Sequence, residues 1–350
     1  MKTQQNTGTN RLSVEGLVER CEAIREGGLI AVGRSGGWSS ALSGLLIAAF
    51  TTGALAGPEG SSVVRGDVNI SRNGAETIIR AGRNSIINHR SFDIARGETV
   101  RFIQPDAASR VLNRITGASP TRIDGSLIAN GRVYLVNPAG VYFSGTARVD
   151  VARLYAAGAN LSDRDFVRGL DRFTDARGAV INEGTLTANF VGLLGKTVTN
   201  GGTINAPRGT VVMAAGDDIL IGERTGNVFV KVSGAAAESA GGAAVTNTGT
   251  INAQRGRVSM AAGDVYSMAI RAGGKVKAAK ARIEGQGSGE VRVDGSIDAG
   301  GATGGDVRVL GEKVSLEGAS IDARGDTRGG HVLVGDVRVL GEKVSLEGAY

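Results

Sequence analysis

The chain has 350 residues, of which 56 are glycine, 5 are proline and 4% are aromatic, with a formal net charge of +6. Glycine without a three-residue period excludes a collagen-like chain, and a hydrophobic content of 41% argues against disorder. Arginine and aspartate are mixed throughout, and no basic cluster is interleaved with aromatic residues. The composition therefore argues against a nucleic-acid partner and favours many short strands joined by turns.

The first 56 residues have the pattern of an extended signal peptide. The apolar run 41–56 is shorter than the ~20 residues that span a bilayer, and Ala54 and Ala56 provide the small residues at a signal-peptidase site. We expect cleavage after Ala56. Residues 1–40 are long for a signal peptide, so a later translation start is one alternative. The other is that the apolar run 41–56 is a buried core helix. The single cysteine, Cys21, lies in this leader, so the mature chain has no cysteine for a disulfide or metal site.

Residues 61–101 contain short apolar groups separated by glycine, asparagine or arginine, which is the pattern of an all-β chain. Pro105 ends this series, because proline cannot donate to a strand ladder. Apolar residues spaced by three and four then predict short helical excursions at residues 107–115, 151–161 and 163–173.

From residue 178 the sequence is repetitive. The pattern Asn-x-Gly-Thr, followed by Leu or Ile, begins at Asn182, Asn200 and Asn247, and residues 305–319 recur unchanged as 335–349. A recurring period of this kind indicates a β-solenoid with about 20 residues per coil. The 47 positions between Asn200 and Asn247 then correspond to two coils, and the mature chain to about 14 coils.

The repeated asparagines have a structural interpretation. Stacked asparagine side chains can hydrogen-bond from coil to coil, and glycine adopts corner angles closed to other residues. We therefore expect Asn182, Asn200 and Asn247 to form a corner ladder rather than a ligand site.

Parallel β-helices also include polysaccharide lyases and hydrolases, so an enzyme is the competing class. Such an enzyme requires clustered carboxylates. The pair Asp217 and Asp218, with Asp264 one repeat later, is the best candidate, but a repeated polar corner explains it equally. His89 and His331 lack the spacing of metal ligands. We predict no catalytic residue, no metal site and no cofactor.

Three motifs in order suggest a family. They are Asn113-Arg114-Ile-Thr-Gly117, then Asn130-Gly131, then the turn Asn137-Pro138-Ala139-Gly140 between strands 133–136 and 141–143. Together they resemble the secretion (TPS) domain of two-partner-secretion exoproteins, the filamentous-haemagglutinin-like family. The resemblance covers about residues 67–216.

The resemblance implies a right-handed parallel β-helix that an outer-membrane TpsB-type transporter recognises through its periplasmic domains. The residues that match the family motifs, and to which it assigns this recognition, are Asn113, Arg114, Gly117, Asn130, Gly131, Asn137, Pro138 and Gly140. The family often has asparagine where this chain has Ala139, so the turn is retained but a polar contact there is not expected.

We thus expect a signal peptide at residues 1–56, a TPS-like β-helix domain at 57–220, and further solenoid repeats at 221–350 that stop inside a repeat, as in a truncated product. The expected function is that of a monomeric exoprotein, secreted or held at the cell surface after passing the periplasm and outer membrane. It would act as an adhesin on a host or neighbouring cell surface or glycan. The alternative is a secreted β-helix polysaccharide lyase or hydrolase.

Overall fold

The computed structural model describes residues 57–224, 227–237, 242–263, 268–287, 289–335, 337–339 and 345–347. Every described residue belongs to one compact unit, Ala54–Tyr350. The expected leader, including the cleavage positions Ala54 and Ala56, lies outside the described residues. Within the described ranges, we find no helix with the length and apolar character needed to cross a bilayer.

The described part of the chain is built from short strands and one helix. In chain order they are β1 (Ser62–Arg65), β2 (Val68–Asn73), β3 (Glu76–Ala81), β4 (Ser85–His89), β5 (Thr99–Ile103), β6 (Arg110–Ile115), β7 (Thr121–Ile123), β8 (Ser126–Val136), β9 (Val141–Phe143), β10 (Arg148–Ala157), α1 (Asp163–Arg168), β11 (Asp171–Phe173), β12 (Ala179–Asn182), β13 (Thr185–Thr187), β14 (Phe190–Gly195), β15 (Thr197–Asn200), β16 (Thr203–Asn205), β17 (Thr210–Ala215), β18 (Asp218–Arg224), β19 (Asn227–Ser233), β20 (Ala243–Asn247), β21 (Thr250–Ala262), β22 (Met268–Ala272), β23 (Lys275–Gly285), β24 (Glu290–Val293), β25 (Ser296–Asp298), β26 (Gly301–Thr303), β27 (Asp306–Leu310), β28 (Lys313–Leu316), β29 (Ser320–Asp322), β30 (Gly325–Arg328), β31 (His331–Val334), β32 (Val337–Val339) and β33 (Ser345–Glu347).

Most of these strands stack in parallel on the equivalent strand of the previous coil. In one sheet β9, β12, β15, β20, β22, β24, β28 and β32 follow each other, so that Val180, Val198 and Val245 lie in register. Because side chains alternate between the two faces of a strand, equivalent apolar residues from successive coils point into the same interior. They form one continuous core that includes Leu186 and Ile204.

This architecture confirms the expected all-β parallel β-helix, a β-solenoid of about 10 turns. The expectation of about 14 coils was too high. Thr203 pairs directly with Thr250, so the 47-residue spacing is a single coil and not two. The additional residues include the antiparallel pair β18–β19, which leaves the stacked path and joins β11 in a separate three-stranded sheet.

The helix predictions were mostly wrong. Residues 107–115 form a turn and β6, and residues 151–161 continue β10 before a loop, because inward stacking on neighbouring coils outweighs local apolar spacing. Only the third excursion contains a helix, α1, and it is followed by β11. Ser162 caps α1 by accepting a hydrogen bond from the Asp165 amide at 3.1 Å, and Gly169 ends it with φ of 73°.

The first strands differ from the rest of the solenoid. β1 pairs antiparallel with β4, and β2 pairs antiparallel with β3. These strands cover one end of the stacked coils, where the backbone groups of the first coil would otherwise remain unpaired.

Candidate functional site

Asn113, in the first of the three sequence motifs, is fully buried and connects neighbouring coils. Its Oδ1 lies 3.0 Å from Nε2 of His89, and its Nδ2 donates to the Tyr134 carbonyl at 3.3 Å. The other ring nitrogen of His89, Nδ1, is 2.9 Å from the Ser61 hydroxyl. Asn113 therefore satisfies buried polar groups on β4 and β8, which stabilises the first coils of the fold.

Burial lowers the pKa of His89 from 6.5 to about 4, although its hydrogen bond with Asn113 acts in the opposite direction. Below pH 6.5 the unfolded chain takes up a proton that the folded chain does not accept until about pH 4. The free energy of unfolding should therefore fall by up to about 3 kcal/mol as the pH decreases from 6.5 to 4.

Urea unfolding at several pH values measures this loss. His89→Gln should reduce the slope between pH 6.5 and 4, whereas His331→Gln, at an exposed position, is the matched control. An unchanged slope in His89→Gln would mean that other groups cause the acid sensitivity.

The other residues of the first motif also have structural partners. The Arg114 guanidinium donates to the Leu161 carbonyl at 2.8 Å and forms an ion pair with Asp163 at 2.5 Å, which connects β6 to the start of α1. At Gly117, an added Cβ would lie 2.3 Å from the Arg90 carbonyl oxygen, so only glycine fits there.

The second motif closes a corner against the preceding coil. Asn130 Oδ1 accepts from the Gln104 amide at 2.8 Å, and its Nδ2 donates to the Gln104 carbonyl at 2.7 Å. A Cβ at Gly131 would lie 2.5 Å from the Gln104 side chain. Asn130 is nevertheless exposed, so it is the member of the set most accessible to a partner in the folded protein.

The third motif forms the turn expected between β8 and β9. Asn137 is fully buried, and its Oδ1 accepts from the Ala139 amide at 2.9 Å while its Nδ2 donates to the Ser119 carbonyl at 3.0 Å. Gly140 has a φ of 119°, and Pro138 is half-buried. The asparagine holds the turn together from inside, which explains why this residue type is required at its first position.

Asn182, Asn200 and Asn247 lie at the ends of successive parallel strands and are fully buried. Asn182 Nδ2 donates to Asn200 Oδ1 at 2.7 Å, and Asn200 Nδ2 donates to Asn247 Oδ1 at 2.8 Å. Each amide thus has its partner one coil away, and the three side chains form a continuous hydrogen-bonded row.

Asp217 and Asp218, the acidic pair considered as a candidate enzyme site, have separate partners in the fold. Asp217 accepts from the Lys196 ammonium at 2.5 Å, and this bond holds the pKa of Asp217 below its usual value. Asp218 accepts from the Asp175 amide at 3.3 Å instead. The third candidate, Asp264, lies outside the described residues, and among those described no group of three or more potential metal ligands occurs.

Sequence reasoning missed an aromatic cluster on the outer side of the coils. Tyr134 and Tyr155 stack with ring centroids 4.2 Å apart, Phe190 stacks on Tyr155 at 4.7 Å, and Phe166 of α1 covers Tyr134 edge-on. The Tyr134 hydroxyl donates to Asp171 at 2.8 Å, and burial raises the pKa of this carboxyl. The available signal was the grouping of aromatic residues between 134 and 190 in a chain poor in them.

The TPS secretion domain family model matches residues 54–302. The chain belongs to this family, which places it among the exoproteins of two-partner secretion. Domains of this family are recognised by outer-membrane TpsB transporters.

Solved structures with the same fold include the HMW1 secretion domain from Haemophilus influenzae, with a TM-score of 0.65 and 24% identity over 82% of this chain and 92% of that chain. The filamentous hemagglutinin secretion domain matches with a TM-score of 0.51 and 16% identity over 83% of this chain and 97% of that chain. At these identities the likeness concerns the fold.

Two curated relatives are heme/hemopexin-binding proteins of Haemophilus influenzae. One is 36% identical over 195 residues, which are 52% of this chain and 22% of the relative. The other is 37% identical over 106 residues, or 30% of this chain and 11% of the relative. The chain therefore spans only about a fifth and about a tenth of their lengths. Neither the family description nor these names denotes an enzyme.

Proposed function

We propose that residues 57–220 direct export of this chain through an outer-membrane TpsB-type transporter, after removal of residues 1–56 behind Ala56. The observation that carries this proposal is the family match over residues 54–302. The same region contains all three motifs, in the family's order.

The burial of the motif residues suggests that the transporter would bind them before the chain folds. Asn113 and Asn137 are fully buried and have their hydrogen bonds satisfied inside the fold. In the unfolded chain the same segments are accessible and can add as strands to the edge of a periplasmic domain. Folding of stacked coils outside the cell would then bury these segments and oppose return.

The test is an Asn137→Ala, Pro138→Ala double variant, produced with a matched transporter in a host that lacks its own. We expect secretion to fall about tenfold or more, because the variant removes the asparagine side chain and the fixed proline backbone angle from the segment that the transporter would bind. The matched control is Asn205→Ala, Pro207→Ala, which alters the same residue types in a later coil. The secreted control should begin at Gly57 by N-terminal sequencing.

Binding of the urea-unfolded chain to the purified periplasmic domains separates recognition from folding. A recognition role requires that the double variant bind these domains more weakly than the control does. Normal secretion and normal binding of the double variant would remove the motif from recognition and leave it a role in shaping the turn.

We further propose that the exported molecule is a monomeric surface adhesin without enzymatic activity that contacts a host or neighbouring cell surface. The support is its membership among exoproteins that are not named as enzymes. A second candidate is capture of haem or hemopexin, which the names of the two relatives favour. Purified protein should bind whole cells under the first proposal, and immobilised haem or hemopexin under the second.

A further inference from the structure

A groove of about 320 Å³ lies between the β18–β19 hairpin and the outer face of the stacked coils. It is lined by four cationic side chains, those of Arg257, Lys280, Arg282 and Arg308, and by one carboxylate, that of Asp306. These residues come from β21, β23 and β27, three successive strands of one parallel sheet. The groove is therefore a cationic surface assembled across coils.

The strand register places like charges on top of each other. Arg257 is paired in register with Lys280, and Arg282 with Arg308. Coils are about 4.8 Å apart, and like charges directly opposite on neighbouring strands are destabilising. The register also places Lys280 opposite Asp306. The lining of the groove still has more cations than carboxylates, which is what a surface for an anionic partner would require.

Two carboxylates form ion pairs with arginines of this face. Glu284 pairs with Arg282 at 2.6 Å, and Asp306 pairs with Arg308 at 3.2 Å. Among the described residues, Lys280 has no carboxylate within ion-pair distance. These pairs are exposed, so they are weak and can exchange for a ligand anion.

An aromatic ring completes the groove. Phe229 of β19 lines it with about half of its surface exposed, 51%. The ring lies against Gly222 of β18, where an added Cβ would be 1.8 Å from the ring carbon Cζ. Glycine at this position thus leaves room for the ring against the hairpin, with an apolar surface beside the cations.

We propose that this groove binds an acidic polysaccharide, with carboxylate or sulfate groups on the stacked cations and a sugar ring on Phe229. The cations repeat along the solenoid axis, which suits a linear polymer with regularly spaced anions. An apolar ring beside charges suits a ligand that has both anionic groups and C–H faces, as sugars have. The proposal rests on the surface role proposed above, because it names the class of ligand for that role.

The experiment measures binding of purified protein to dextran sulfate, with neutral dextran as the reference polymer, at about 0.15 M salt. Lys280→Gln, Arg308→Gln should weaken binding of dextran sulfate about tenfold or more. The matched control is Lys275→Gln, Lys277→Gln, which removes two charges from β23 outside this groove. We expect the control to change affinity less than twofold.

Phe229→Ala distinguishes a sugar ligand from any polyanion. It should weaken binding of dextran sulfate several-fold and leave binding of inorganic polyphosphate unchanged, because polyphosphate has no ring to stack. Equal loss in the groove and control variants, or absence of saturable dextran sulfate binding, would overturn the proposal. Tighter binding of DNA than of dextran sulfate would also overturn it. None of these measurements requires the transporter. Loss of polysaccharide binding with normal export would therefore contradict only this proposal, and loss of export with normal polysaccharide binding would contradict only the export proposal.

Discussion

Replacing Asn200 by leucine is expected to lower the free energy of unfolding by about 2–5 kcal/mol. Asn200 is the middle member of the buried amide row, where it accepts from Asn182 and donates to Asn247. The leucine can do neither, so Nδ2 of Asn182 and Oδ1 of Asn247 both lose the hydrogen bond that Asn200 provides inside the protein. The cost is that of leaving buried polar groups unsatisfied, which exceeds the value of the bonds themselves.

Urea unfolding of the purified protein measures this effect. The matched control is Asn205→Leu, the same substitution at a half-buried position of the adjacent strand β16. We expect the control to change stability by less than about 1 kcal/mol, in the range usual for surface sites. Equal stability of Asn200→Leu and the unmodified chain would show that the amide row does not stabilise the solenoid.

Replacing Tyr155 by alanine should cost about 3–5 kcal/mol, because it removes the central ring of the aromatic cluster. The Tyr155 ring is almost fully buried and lies between those of Tyr134 and Phe190. Phe173 of β11 packs near it, at 6.3 Å between ring centroids. Its loss would open a cavity under α1 and β11, which contribute few other residues to the main core.

Two further variants test whether the loss of stability comes from the Tyr155 ring rather than from its hydroxyl. Tyr155→Phe keeps the ring and removes only the hydroxyl near Asp171, so it should lose about 1 kcal/mol. Tyr142→Ala alters a half-buried tyrosine outside the cluster and serves as the control. Hydrogen exchange should become faster at residues 163–173 in Tyr155→Ala. If exchange there is unchanged, the aromatic cluster does not hold the excursion.

Much of the fold was predictable because a solenoid repeats its local chemistry. Each coil needs short β-branched strands and corner glycines, and the asparagine at the end of a strand recurs where it can bond to the next coil. Strands 133–136 and 141–143 were confirmed within β8 and as β9, since the turn residues between them have specific backbone requirements. The coil count failed because the hairpin at residues 218–233 leaves the repeat. The helix predictions at residues 107–115 and 151–161 failed because strand stacking on neighbouring coils outweighs local apolar spacing.

The partners of the motif residues were less predictable. From the sequence, His89 was considered only as a metal ligand, yet its ring lies beside Asn113, because β4 and β6 pair in a register that local sequence does not specify. Likewise, the sequence identified Arg114 only as a motif residue. Its contact with Asp163 depends on where the chain places the start of α1, which local sequence does not specify.

The amino-acid pattern was sufficient for the parallel β-helix and for the family, since both depend on the order of short local motifs. Tertiary structure determined which side chains meet across coils. Arg257, Lys280 and Arg308 are separated by more than twenty residues from one to the next, so their proximity is not visible along the chain. They become neighbours because a coil returns the chain to the same face, about 4.8 Å further along, and the length of each coil sets which residue arrives there.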